Sequence, residues 1–260
     1  MGERKEKNQK FFIEHPKCCF CGGKNEAETL DHQPARVFFR GREWPENFVF
    51  PACRQCNDIS RESERLTSAL FHGEAGSSDR TAYRKHVASI GAAYPDLIPG
   101  MLPSSANEMR SLLRKNRIER PEGVELRKVP LVKIDPTFWQ PHFEMISRKI
   151  LLALHYQCFG IALPSTGAMW AFQSTNVQLH RMEYPMELFE AADQIVIPVR
   201  NRRPLTTQFA VRYNVVPGQN AGIFLALIHN RFLISGITTD DLNGFPAIEG
   251  PETIRPFRWP

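Results

Sequence analysis

Two pairs of cysteines in this chain share one spacing, Cys18-x-x-Cys21 and Cys53-x-x-Cys56. In a reducing compartment disulfides are disfavoured, and clustered Cys-x-x-Cys pairs more often hold a metal. Four thiolates are the donor set of a tetrahedral structural zinc. A redox use of a single Cys-x-x-Cys is the competing reading, and the duplicated spacing argues against it. The 31 residues between the pairs exceed the usual zinc-ribbon loop, so a substructure must be built inside them. Cys19 gives the poorer Cys-x-Cys spacing and is read as a non-ligand. Cys158 falls in an apolar helical pattern and is read as a core residue.

Four polar residues stand at informative places around this loop: Asp31 and His32 together, Asn47 fifteen positions after His32, and Asn57 directly after the last cysteine. The elements that must position them can be read locally. Glu28–His32 has the pattern of a short strand closed by Pro34, and Asn47–Phe50 that of a second strand stopped by Pro51. Cys53 to about Phe71 reads as a helix. Successive helical residues point about 100° apart, so Cys56 can face a zinc ion while Asn57 faces across the strands. The pinned helix start then brings Asn57 near Asp31 and His32. Neighbours on a strand point to opposite faces, so both can share a site only where the strand ends.

With Cys-x-x-Cys pairs framing Asp31-His32, Asn47 and Asn57, the segment of about residues 15–66 resembles the HNH endonucleases, in their zinc-bearing ββα-metal form. Many relatives have His at the position of Asn57, and a Lys three residues beyond it where this chain has Ser60 followed by Arg61. The resemblance implies His32 as general base, whose ordinary pKa near ~6.5 suits the task. It implies Asp31 and Asn57 as ligands of a catalytic divalent cation, Mg²⁺ or another, and Asn47 as the residue that orients His32. The implied reaction is hydrolysis of DNA to a 5′-phosphate and a 3′-hydroxyl, in restriction or phage defence. Each residue also has a plainer use, as a turn cap, a loop amide or a satisfied histidine, and a zinc-stabilised nucleic-acid-binding or interaction protein that does not cut is the alternative. Arg36, Arg40, Arg42, Arg54 and Arg61 are the candidate phosphate contacts. Arg200, Arg202 and Arg203 form a further cluster beside Pro198 and Pro204, in a loop that could touch DNA or a partner; a solvated loop is the favoured reading.

The rest of the chain is expected to support this module. Its 260 residues, 42% hydrophobic and 23% charged, suit one large or two modest folded units, and a net charge of +5 permits a nucleic-acid partner without demanding one. No apolar run is long enough to cross a bilayer, and the charged amino terminus lacks a signal-peptide pattern, so a cytoplasmic protein is expected. Residues 1–10 read as a frayed polar tail. The fold class expected is α+β: a zinc-stabilised HNH module over 1–72, a helical connector over 73–130, and a carboxy-terminal α+β domain over 131–260 with a small antiparallel sheet. In that last domain residues 142–158 form an amphipathic helix with Arg148 and Lys149 on its outer side. Runs at 208–213, 223–228 and 232–237 read as strands, the last two joined at His229-Asn230. This half is similar to regions that follow HNH modules in bacterial proteins, which implies no activity; it is expected to position the module on DNA or to dock a protein partner.

Overall fold

In the computed structural model, which describes residues 2–40, 43–72, 80–120, 122, 124–126 and 131–241, helices and antiparallel strands mix in an α+β arrangement. Their order is α1 (Glu3–Glu14), β1 (Thr29–His32), β2 (Val49–Ala52), α2 (Arg54–Ile59), α3 (Arg61–His72), α4 (Arg80–Ala93), α5 (Leu97–Met101), α6 (Ala106–Lys115), α7 (Pro136–Phe159), β3 (Ala168–Ser174), α8 (Asn176–His180), α9 (Met186–Ala191), β4 (Gln194–Val196), β5 (Val199–Arg200), β6 (Arg203–Pro204), β7 (Phe209–Val215), β8 (Ala221–Ile228) and β9 (Phe232–Thr239). No helix among the described residues is long and apolar enough to cross a membrane.

The two amino-terminal strands pair antiparallel, His32 opposite Val49 and Asp31 opposite Phe50. β2 does not stop at Pro51 but runs to Ala52. Each strand of a two-stranded ribbon has an open edge, where the missing proline N–H leaves no partner stranded, and the Pro51 carbonyl still accepts from the Cys19 N–H at 3.0 Å. The helix expected over 53–71 is two helices, α2 and α3, with buried Ser60 between them. The polar amino terminus, expected to fray, forms α1. Its end is anchored by His15, whose Nδ1 lies 2.8 Å from the Tyr156 hydroxyl, and Lys10 pairs with Glu14 one turn on.

The second half is built on a five-stranded antiparallel sheet in the order β3-β9-β8-β7-β4. The three expected strands are present, and the β8–β9 turn falls at His229 and Asn230, both at positive φ (51° and 55°) as a tight hairpin requires. β8 shows the two-residue period of a strand. Phe224, Ala226 and Ile228 join the main core under α7, while Ile223, Leu225 and Leu227 pack with Leu179 and Phe189 of α8 and α9. With both faces covered, β8 reads as a continuous apolar run.

α7 joins the halves. It starts six residues earlier than the apolar periodicity indicates, because Asp135 caps it through the Thr137 N–H (3.0 Å) and Pro136 suits its first turn. One continuous core runs from Phe20 and Phe50 of the ribbon through Leu66, Ile146 and Ile150 to Phe209 and Phe232. Two expectations for this helix are corrected. Lys149 is not on an outer face but fully buried, since carboxylates of the ribbon module meet it there, and Cys158 is exposed, because it lies beyond the buried run that ends at His155. The halves also meet backbone to backbone. At Gly22 (φ 67°) an added Cβ would sit 3.0 Å from the Leu163 carbonyl oxygen and 3.1 Å from the Ser165 nitrogen, so this turn must be glycine.

Candidate functional site

The sulfur atoms of Cys18, Cys21, Cys53 and Cys56 lie within 4.8 Å of one another, all four side chains buried. A zinc tetrahedron with ~2.3 Å bonds has sulfur–sulfur edges of about 3.8 Å, so a small contraction closes this set on one ion. Local folding explains the convergence. A turn through Gly22 and Gly23, both at positive φ, presents Cys18 and Cys21, while Cys53 caps α2 and Cys56 lies in its first turn. N–H donors surround the sulfurs as they do thiolates around a metal: Asn25 donates from its backbone to Cys21 Sγ at 3.4 Å and from its amide to Cys53 Sγ at 3.5 Å, and Cys56 N–H donates to Cys53 Sγ at 3.4 Å. Hydrogen bonding with Cys18, and then Cys56, pushes Cys21 down to about 3. These four residues could hold a metal ion such as zinc. Cys19 stands outside the cluster, and burial pushes its thiol well up.

Beside the sulfur cluster lies a cleft of about 600 Å³ whose lining includes Thr29, Asp31, His32, Arg36, Asn57, Arg61 and Glu64. Three of the four expected polar residues are therefore brought together. Asn57, in the first turn of α2, donates through Nδ2 to Thr29 Oγ1 at 3.2 Å, and no described residue donates to its Oδ1. Asn47 does not join them: it is exposed, occupies a turn at φ 63°, and makes no side-chain hydrogen bond with His32. Of the expected basic contacts, Arg36 and Arg61 line the cleft. Arg40 and Arg54 do not, and Arg42 lies outside the described residues.

Asp31 and His32 sit on opposite faces of β1 and live in different surroundings. Asp31 is 5% exposed. It is ion-paired with Lys149 Nζ, and its Oδ1 accepts from Gln33 Nε2 at 3.2 Å. Lys149 also donates to Ser60 Oγ at 2.7 Å and lies 3.5 Å from Glu64. Burial opposes its charge, but Asp31 and Glu64 together outweigh that and hold it above its ordinary value. Burial first, and then Glu64 nearby, push Asp31 above the ordinary carboxylate range against the pull of Lys149. Arg61 and Arg65, which also line the cleft, pair with Asp58 and Glu62.

His32 is half-buried, and Arg36 contacts its Nε2. A guanidinium can only donate, so that nitrogen is the unprotonated one. Burial first, then Arg36 and then Arg200, push His32 down to about 4. The Trp44 ring stands edge-on to His32 at 6.2 Å and carries two guanidiniums, Arg36 at 4.4 Å and Arg200 at 4.6 Å.

Sequence reasoning missed Glu64, Lys149 and Trp44, and favoured a solvated loop for Arg200. Only Glu64 left a signal, lying seven residues after Asn57 and so on the same helical face. The others touch lining residues from outside the cleft: Lys149 pairs with Asp31, and Trp44, which carries Arg200, stands edge-on to His32. Comparison with protein-family models, with curated proteins and with solved structures finds no match for the chain.

Proposed function

We propose that the chain is a metal-dependent endonuclease of the HNH type that hydrolyses phosphodiester bonds in DNA, with structural zinc on its four clustered cysteines. The observation that carries this reading is one cleft, beside the sulfur cluster, lined by an imidazole, a carboxylate and an amide from β1 and α2 and flanked by Arg36 and Arg61. Asp31, Asn57 Oδ1 and Glu64 are hard oxygen donors on one cleft, which is the donor chemistry that Mg²⁺ takes. When bound there, such an ion would stabilise negative charge on the scissile phosphate and the departing oxygen.

The chain's own groups do the rest. His32 is neutral at pH 7 and can take a proton from water. Its Nε2 is covered by Arg36. A substrate phosphate offers that guanidinium a stronger, bidentate partner than a neutral imidazole does, so substrate entry uncovers the base. Lys149 fixes Asp31 from behind.

One observation favours the second reading, a module that binds nucleic acid without cutting: Asp31 and His32 both already have cationic partners. A plasmid-nicking assay with Mg²⁺, Mn²⁺ or EDTA decides between them. The nuclease reading expects metal-dependent nicking that falls at least 100-fold in His32→Ala, with zinc content and melting temperature retained. No nicking by the wild type in either metal would leave the non-cutting reading.

A further inference from the structure

The second half sends one element into the neighbourhood of the cleft. β5 and β6 form a two-stranded hairpin whose turn residues, Asn201 and Arg202, have φ of 49° and 63°. It is fastened to the loop between β1 and β2. The Glu46 N–H donates to the Val199 carbonyl at 3.0 Å, the Asn201 N–H donates to Glu46 Oε1 at 2.9 Å, and Arg200 lies over Trp44. Trp44 in turn abuts His32, so the hairpin is docked on the wall that carries the candidate base.

What the hairpin displays is cationic. Arg202 and Arg203 are exposed and Arg200 half-buried, and none of the three pairs with a carboxylate among the described residues. The nearest acid in the contacts, Glu46, is occupied by the turn's backbone. Arg202 is also held in the left-handed region, where glycine or asparagine would sit without strain. A strained arginine kept at a tip points to use of its guanidinium. Trp44 already carries two guanidiniums, so the hairpin is poorly built for stacking a base and well built for phosphate oxygens.

We propose that the β5–β6 hairpin is a phosphate-gripping arm, in which Arg200, Arg202 and Arg203 hold the backbone of duplex DNA on the flank of the His32 cleft. It rests on the nucleic-acid reading of that cleft and extends the binding surface to the second half of the chain. Its contacts are independent of base sequence, and their strength follows counterion release.

The test is fluorescence anisotropy of a labelled DNA duplex with the full, zinc-loaded chain in buffer without added Mg²⁺ or Mn²⁺, across a salt series. Arg202→Gly/Arg203→Gln is compared with wild type and with Arg114→Gln/Lys115→Gln, which removes the same charge from α6. Each lost phosphate contact lowers the slope of log K against log salt by about 0.9. The hairpin variant is expected to lose about 1.8 from the slope and about tenfold or more in affinity at ~0.1 M salt, with its melting temperature unchanged or raised because glycine relieves the turn. The α6 variant keeps the wild-type slope. An unchanged slope in the hairpin variant, an equal fall in the α6 variant, or no duplex binding by the wild type overturns the arm. The nicking assay separates the two readings: nicking with an unchanged slope removes the arm and keeps the nuclease, whereas a reduced slope in a chain that never nicks keeps the arm and removes the nuclease.

Discussion

The ribbon module and the five-stranded sheet hold themselves together by opposite means. β1 and β2 are four residues each, too little to bury a core of their own, and a few polar atoms do the binding: four sulfurs on one side, an ammonium between two carboxylates on the other. Four of the sheet's five strands have seven or eight residues, β8 is covered on both faces, and the sheet's cohesion is spread over many small dispersion contacts. Concentrated cohesion fixes side chains sharply, which a catalytic cleft needs, but makes the module vulnerable to the loss of single atoms. Distributed cohesion tolerates such losses and makes a platform.

The largest effect should come from the sulfurs. Cys56→Ser is expected to take zinc from about one ion per chain to near none, since a structural zinc contributes on the order of 10 kcal/mol to folding its module. Hydrogen exchange should show β1 and β2 unprotected while β7–β9 stay protected. Ribbon amides that remain protected without metal would break the contrast.

Next comes the buried ammonium. Lys149→Met leaves Asp31 and Glu64 facing each other without a counter-charge and is expected to destabilise by about 3–5 kcal/mol in urea unfolding. Adding Asp31→Asn should return part of that loss, because the two sites are coupled through a direct contact. A single variant within about 1 kcal/mol of wild type would show that the ribbon leans on its apolar core after all.

The smallest effect tests the sheet side. His155 of α7, its Nδ1 2.7 Å from Thr238 Oγ1, is pushed down to about 4 by burial. It is neutral in the fold and titrates near ~6.5 in the unfolded chain. Its contribution is therefore complete above about pH 6.5 and lost as the pH falls toward 4, by about 3 kcal/mol. His155→Gln should flatten the stability profile across that window, whatever it does at neutral pH. An unaltered slope would assign the acid sensitivity elsewhere.

Local signals in the sequence reached far into this fold. The cysteine spacing, the two short strands and the hairpin at 229–230 all depend on neighbours within a few residues, and three of the four polar site residues converge as their spacing suggested. What escaped was non-local. Lys149 reads as an outer-face residue of an amphipathic helix until Asp31, 118 residues earlier, is known to face it. Arg200 reads as part of a solvated loop until Glu46 and Trp44 are seen to hold its hairpin. Asn47 erred the other way: the resemblance implied an orienting task, and the backbone gave it a turn.

The glycine at position 22 bears on how this module could travel between proteins. Its bare α-carbon is matched to the main chain of residues 163–165, so the knuckle is cut to one particular neighbour, as a key blank is filed for one lock. Moved onto another host, the same motif would keep its sulfurs but lose its seat. Inheritance of the two halves as a pair, with substitutions at the seam arising jointly, is what such a fit favours.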